Sequence, residues 1–150
     1  YCESDENIAE KFNMIKKYKM TPLLCVGENL IEREAGIMEK VVSEQIKTIL
    51  DLYGQDIFKG SIIAYEPIWA IGSDSAASPE QIEKMCEFIK QLIHTNVRDN
   101  DDVNIVYGGS VNAKNAVQLC EINGVDGILM GRASLDADEF YEICNSIHKI

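Results

Sequence analysis

The chain lacks any sizeable cluster of basic residues. Its 150 residues carry 14 lysines and arginines against 25 aspartates and glutamates, which gives a formal net charge of −11, and its longest basic run is Lys16-Lys17. A protein that binds a nucleic-acid backbone or an anionic membrane surface needs a basic face. We therefore expect neither nucleic acid nor a membrane among its partners.

Long apolar runs and paired cysteines are also missing. No apolar stretch approaches the roughly 20 residues that a membrane-spanning helix needs. The cysteines are odd in number, widely spaced and free of any C-x-x-C pair, which predicts reduced thiols in a cytoplasmic protein without a disulfide framework or a zinc site. They are Cys2, Cys25, Cys86, Cys120 and Cys144. The acidic run DNDD (99–102) lacks the twelve-residue pattern of a calcium loop, so we expect no metal.

Apolar runs alternate with helical stripes along the whole chain, without a linker. The residues 1–150 are therefore expected to form one α/β domain of order α-β-α-β-α-β-α-β-α with a parallel sheet. Because the strands are nearly all apolar, both faces of the sheet are expected to be covered. Strands are predicted at 23–27, 61–66, 103–107 and 125–131, and helices after Ser4, over 38–53, after Ser78, over about 113–122 and after Asp136.

An acid and an apolar segment stand together at the end of the second predicted strand. Glu66 is followed by Pro67 and then by Ile68, Trp69, Ala70 and Ile71. In parallel α/β folds functional groups gather at the carboxyl ends of strands. Glu66 is the candidate base, and residues 68–71 are expected to close over it, since a carboxylate with less water around it is a stronger base. The alternative is that Glu66 is an ordinary strand-end residue in a salt bridge and Trp69 a core residue.

Glycine-rich turns follow three of the predicted strands, at Gly27-Glu28, Gly108-Gly109-Ser110 and Gly131-Arg132. Backbone N–H groups in such turns can cradle a phosphate without lysines, which suits an acidic protein. The alternative is that the glycines only shape tight turns. A dinucleotide fingerprint is excluded after the third strand because no third glycine follows at the required spacing.

The remaining charged residues and the two histidines give weaker evidence of a functional site. The segment 32–34 reads as a solvated charged turn or a bridge between loops. His94 and His148 have no evident partner for a catalytic triad and are expected at the surface.

Four segments, in this order, resemble triosephosphate isomerase: CVGENLIEREAG, AYEPIWAIGS, YGGSVNAKNA and DGILMGRASL. The opening ESDENIAEK is similar as well, so the resemblance runs nearly end to end. It implies a parallel (β/α)8 TIM barrel of roughly 250 residues. This chain would then be the carboxyl-terminal half of that barrel, with strands five to eight and their flanking helices.

The resemblance implies that the protein interconverts dihydroxyacetone phosphate and glyceraldehyde 3-phosphate through an enediolate, a step of glycolysis and gluconeogenesis. It implies no cofactor and no metal. Glu66 matches the proton-shuttling carboxylate of the family. The matching lid residues are Pro67, Ile68, Trp69, Ala70 and Ile71. The amides that match the family's phosphate-binding amides belong to Gly72, Ser110, Gly131 and Arg132.

The chain departs from the family in three places. Arg132 stands where the family usually has the second of two glycines, and a positive φ there would strain an arginine. Residues 73–77, SDSAA, replace a lid that often reads Thr-Gly-Lys-Thr-Ala. The family's electrophilic histidine, its lysine and asparagine and its dimer loop have no counterpart here, and the chain begins with Tyr1 rather than Met. The protein is therefore expected to be part of a longer homodimeric enzyme, with little or no turnover by itself.

Two other functions remain open. One is a half-barrel without activity. Its two sheet edges and one barrel face would be uncovered, so it would self-associate and at most bind phosphate weakly. The other is a different phosphate-binding barrel enzyme, although such a cradle alone needs neither Glu66 nor an apolar lid.

Overall fold

A computed structural model describes residues 3–73, 76–98 and 102–148. Over these residues strands alternate with helices as expected. The elements are α1 (Asp5–Lys17), β1 (Leu23–Val26), α2 (Leu30–Glu34), α3 (Met38–Tyr53), β2 (Ile62–Tyr65), α4 (Pro79–Asn96), β3 (Asn104–Gly108), α5 (Ala116–Cys120), β4 (Gly127–Leu129) and α6 (Ala137–Ile147).

Three of the helices begin at the capping residues that the sequence predicts. The Ser4 hydroxyl accepts a hydrogen bond from the backbone N–H of Asn7 at the start of α1. Ser78 and Gln81 form a reciprocal capping box at the start of α4. The Asp136 carboxylate accepts from two backbone N–H groups at the start of α6. Each cap satisfies helix donors that have no partner within the helix.

Two helices differ from the predictions. The helix expected over about 113–122 is confined to Ala116–Cys120. The segment predicted as a charged turn at 32–34 belongs to α2, which Asn29 caps through a box with Glu32. The capping box is visible in the sequence as N-x-x-E. The helix itself is not, because α2 buries no residue and so has no apolar stripe.

The four strands form one parallel sheet in the order β1-β2-β3-β4. Cys25 pairs with Ala64, Ala64 with Val106, and Val106 with Gly127. All four strands therefore end at the same edge of the sheet. This edge carries Glu66, the 108–110 turn and the turn after β4.

The core lies against one face of the sheet. Leu24, Val26, Ile105 and Tyr107 are buried, whereas Leu23, on the other face of β1, keeps 44% of its surface exposed. The expectation that both faces are covered is therefore wrong for β1, whose residues alternate between exposed and buried. The described helices bury only every second side chain of that strand.

Candidate active site

The predicted base and the predicted phosphate-binding residues line one cavity of about 590 Å³ at the carboxyl edge of the sheet. The parallel register explains this, because four strand ends bring residues distant in sequence to one rim. From the predicted set, the lining residues are Glu66, Ile71, Gly72, Ser110, Gly131 and Arg132.

Glu66 lies across the end of β3. A Cβ added to Gly108 would stand 2.7 Å from Glu66 Cγ, so the missing side chain of Gly108 provides the space that the carboxylate occupies. On the other side, Cys25 is a neighbour of Glu66. Partial burial, and then the Glu66 carboxylate, raise the pKa of Cys25 to about 12, so its thiol stays protonated at neutral pH.

The turn after β3 has a constrained backbone. Ser110 has a φ of 48°, which is uncommon for a residue with a side chain. A Cβ on Gly109 would lie 2.4 Å from the Tyr107 hydroxyl, so any larger residue there would have to displace the Tyr107 ring. Such strain tends to persist where the surrounding structure holds a functional geometry in place.

The β3 turn also fastens the predicted lid. The Ser110 hydroxyl lies 2.8 Å from the carbonyl oxygens of both Ala70 and Ser73, and its one proton bonds one carbonyl at a time. The Tyr107 hydroxyl accepts a hydrogen bond of 3.1 Å from the backbone N–H of Ala77. The lid is thus held on both sides of residues 74 and 75, which lie outside the described residues.

The lid begins with a short 3₁₀ helix, Ile68–Ala70, after the buried Pro67. Ile71, 53% exposed, lines the same cavity as Glu66. Glu66 has no salt bridge within the described part of the chain, so the interpretation of it as an ordinary ion-paired residue receives no support.

Sequence reasoning assigned no role to Glu28, which proves to be a centre of the site. Its side chain is fully buried, and its carboxylate accepts from Trp69 Nε1 at 2.9 Å and from the Tyr65 hydroxyl, which lies 3.2 Å from each oxygen. Arg33 lies 3.5 Å from Glu28 and 5.7 Å from the centre of the Trp69 ring. Trp69 therefore packs partly buried against the core and is also hydrogen-bonded to Glu28, while Arg33 of the 32–34 segment is a bridge between loops. The signal for Glu28 was its place just after β1, at the same edge of the sheet as Glu66 and one residue further on in the strand register.

Arg132 begins a 3₁₀ helix, Arg132–Leu135, directly after Gly131. Non-glycine residues with positive φ in the described part of the chain are Lys19 and Ser110. The strain expected for Arg132 is therefore absent. Arg132 lines the cavity without the second glycine of the family pattern.

The histidines do not contribute to this cavity. His94 lines a separate cavity of about 390 Å³ with Asn104, at the opposite end of β3, and His148 follows α6. Within residues 3–73, 76–98 and 102–148 no cluster of three His, Cys, Asp or Glu side chains is arranged to hold a metal. Residues 99–101 of the acidic loop lie outside the described residues. In the same ranges no helix has the length and apolarity needed to cross a membrane.

Fold and site together define a parallel α/β protein with an acid next to glycine turns at the carboxyl ends of its strands. Sequence comparison makes this class specific, since the family model of triosephosphate isomerase matches residues 1–147. The chain belongs to the triosephosphate isomerase family.

Relatives named triosephosphate isomerase match almost the whole chain. That of Vesicomyosocius okutanii subsp. Calyptogena okutanii (strain HA) is 42% identical over 97% of this chain and 59% of its own length. That of Legionella pneumophila (strain Paris) is 43% identical over 99% of this chain and 60% of its own length. That of Proteus mirabilis (strain HI4320) is 47% identical over 92% of this chain and 54% of its own length. The chain thus spans less than two thirds of these relatives, and its assignment to the carboxyl-terminal half stays a prediction.

Proposed function

We propose that the chain is the part of a triose-phosphate isomerase that supplies the catalytic base, the lid and the phosphate cradle. The observation that carries the proposal is the shared cavity, in which Glu66 lies near Gly72, Ser110 and Gly131. The names of the relatives support the reaction, the interconversion of dihydroxyacetone phosphate and glyceraldehyde 3-phosphate.

In this reaction Glu66 removes a proton from the carbon next to the substrate carbonyl and returns it to the neighbouring carbon. Backbone N–H groups of the phosphate-binding residues hold the phosphate, which fixes the reacting carbon near the Glu66 carboxylate. These residues are Gly72, Ser110, Gly131 and Arg132. The closed lid excludes water, so the enediolate is protected from side reactions such as phosphate elimination. Neither His94 nor His148 lines the cavity, so the electrophilic histidine of the family would be supplied by the rest of the barrel.

A coupled triose-phosphate assay tests the proposal. The purified 150-residue chain should show little or no turnover, and a polypeptide carrying the other four strands of a relative should restore it. Glu66→Gln should lower the restored rate by about 10²–10⁴-fold, the usual contribution of a general base. Glu10→Gln, a matched change on the exposed side of α1, should leave the rate unchanged. Restored activity that survives Glu66→Gln would show that another group is the base.

The position of this portion within the barrel is decided by the adjoining coding sequence. Four further strands encoded before Tyr1 would place it in the carboxyl-terminal half, and strands encoded only after Ile150 would place it in the amino-terminal half. We expect the complete protein to be a cytoplasmic homodimer, which sedimentation of the full-length enzyme and fractionation of its cells would test.

A second candidate function is a self-associating half-barrel without activity. The open side of the sheet favours it, because Leu23 and Cys25 are exposed on β1 and both β1 and β4 are edge strands in the described chain. Unpaired edges invite pairing with another copy. Light scattering should then detect oligomers of the isolated chain, whereas a stable monomer would contradict this function.

A further inference from the structure

The side chain of Gln45, on α3, makes two hydrogen bonds to a single residue at the end of β1. Its Oε1 accepts from the backbone N–H of Gly27 at 3.0 Å, and its Nε2 donates to the carbonyl of Gly27 at 3.2 Å. A carboxamide carries one acceptor and a donor pair, so it presents the same groups as a peptide bond. Gln45 thus takes the place of a neighbouring strand at Gly27.

The direction of these bonds follows from the parallel ladder. The carbonyls of Val26 and Glu28 accept from the N–H groups of Glu66 and Ile68, at 2.8 and 2.9 Å. Since successive residues of a strand direct their backbone groups to opposite sides, those of Gly27 point away from β2. No strand pairs with that side of β1 in the described chain. Without Gln45, a buried N–H and a buried carbonyl would lack partners, which is costly.

Gly27 is in turn packed directly against the catalytic segment. A Cβ at Gly27 would stand 2.0 Å from the carbonyl oxygen of Glu66 and 2.5 Å from its carbonyl carbon. The next residue, Glu28, holds the indole of Trp69. A movement of Gly27 therefore displaces both the backbone that carries the base and the anchor of the lid hinge.

We propose that Gln45 is a positioning residue that fixes Gly27, and through it the Glu28–Trp69 hinge and the backbone of Glu66. Gln45 touches neither the cavity nor any reacting atom, and it acts from α3, outside the sheet. The inference rests on the proposed function only in one respect, namely that the Trp69 segment serves as the hinge of a lid. Its test uses the surroundings of Trp69, so a failure of turnover and a failure of this role are separate results.

Trp69 is the single tryptophan of the chain, so its fluorescence reports the hinge alone. Gln45→Met keeps the approximate volume and removes both hydrogen bonds. We expect it to raise the acrylamide quenching constant of Trp69 by about twofold, as a locally loosened segment would. Far-UV circular dichroism should show that the variant is folded. Gln91→Met, the same change at an exposed position of α4, is the control and should leave quenching unchanged.

Gln45→Glu provides a second, reversible variant. Its carboxylate still accepts from the Gly27 N–H but faces the Gly27 carbonyl without a proton to donate, so quenching should be raised at pH 8. Protonation at low pH restores a donor, and quenching should return toward that of the wild-type chain at the same pH. Comparison at each pH with the wild-type chain accounts for the titration of its own carboxylates.

A purely structural role for Gln45 makes different predictions. Variants that lower the free energy of unfolding while the quenching of folded Trp69 stays at the wild-type value would overturn the proposal. Hydrogen exchange in the wild-type chain gives a check that needs no variant. The Gly27 amide should exchange slowly although it lies on an edge strand, and exchange at the rate of an unprotected amide would equally refute the role.

Discussion

Replacing Tyr65 by phenylalanine tests how strongly the buried Glu28 carboxylate depends on its donors. Burial, and then the negative charge of Glu28, raise the pKa of Tyr65 above its usual range, so the hydroxyl is a donor at neutral pH. The hydroxyl lies 3.2 Å from both carboxylate oxygens, which is long for an O–H···O bond. Hydrogen bonds to charged groups contribute about 1.5–3 kcal/mol, and this geometry favours the lower end.

The other partners of Glu28 limit the cost. After Tyr65→Phe the carboxylate retains Trp69 at 2.9 Å and Arg33 at 3.5 Å, so it is not left as an isolated buried charge. We therefore expect a loss of about 1.5 kcal/mol in the free energy of unfolding, below the roughly 3–5 kcal/mol of a broken buried ion pair.

Urea denaturation followed by far-UV circular dichroism measures this difference, because its signal does not depend on Trp69. Tyr53→Phe is the matched control, since the Tyr53 hydroxyl makes no hydrogen bond to the described residues, and it should cost less than about 0.5 kcal/mol. An equal cost for the two variants would refute the view that Tyr65 stabilises the protein through Glu28.

Three further predictions concern the thiols and the glycine beside the base. Burial raises the pKa of Cys86 to about 12 from a usual 9.0, so the thiol is neutral in both the folded and the unfolded chain below about pH 9. Above that pH the thiol ionises only in the unfolded chain, so the free energy of unfolding should fall by up to about 1.4 kcal/mol per pH unit. Urea titrations should show that Cys86→Ala removes this part of the pH dependence. Glu66→Gln should speed alkylation of Cys25 at pH 8, followed by peptide mass spectrometry, because it removes a charge that disfavours the thiolate; an unchanged rate would contradict the contact. Gly108→Ala should displace Glu66 and lower the activity of a completed barrel, with the circular dichroism spectrum preserved.

Local sequence signals were sufficient for most of the fold. The four apolar runs became strands, and the caps at Ser4, Ser78 and Asp136 became helix starts, because each signal acts within a few residues. The placement of Glu66 beside the glycine turns followed from parallel topology alone. The short α2 was missed because its stabilisation comes from a cap and not from an apolar face.

The environment of Glu28 was beyond sequence reasoning for a different reason. Its partners Tyr65 and Trp69 lie 37 and 41 residues away along the chain. A buried carboxylate is tolerated only where several donors converge, and such convergence is a property of packing rather than of local pattern. The open face of the sheet was expected from the half-barrel interpretation and not from the strands themselves, since an apolar strand reads the same whether its second face is covered by this chain or by another polypeptide.

The two acids that follow β1 and β2 have different surroundings, which support the different roles proposed for them. Glu28 is fully buried and surrounded by the donors of Tyr65, Trp69 and Arg33. These charge-assisted hydrogen bonds hold the Glu28 carboxylate in place, so it suits anchoring the Trp69 segment. Glu66 instead lines the cavity, beside the Cys25 thiol. This difference in surroundings supports the proposal that Glu66 transfers the proton while Glu28 anchors the lid segment.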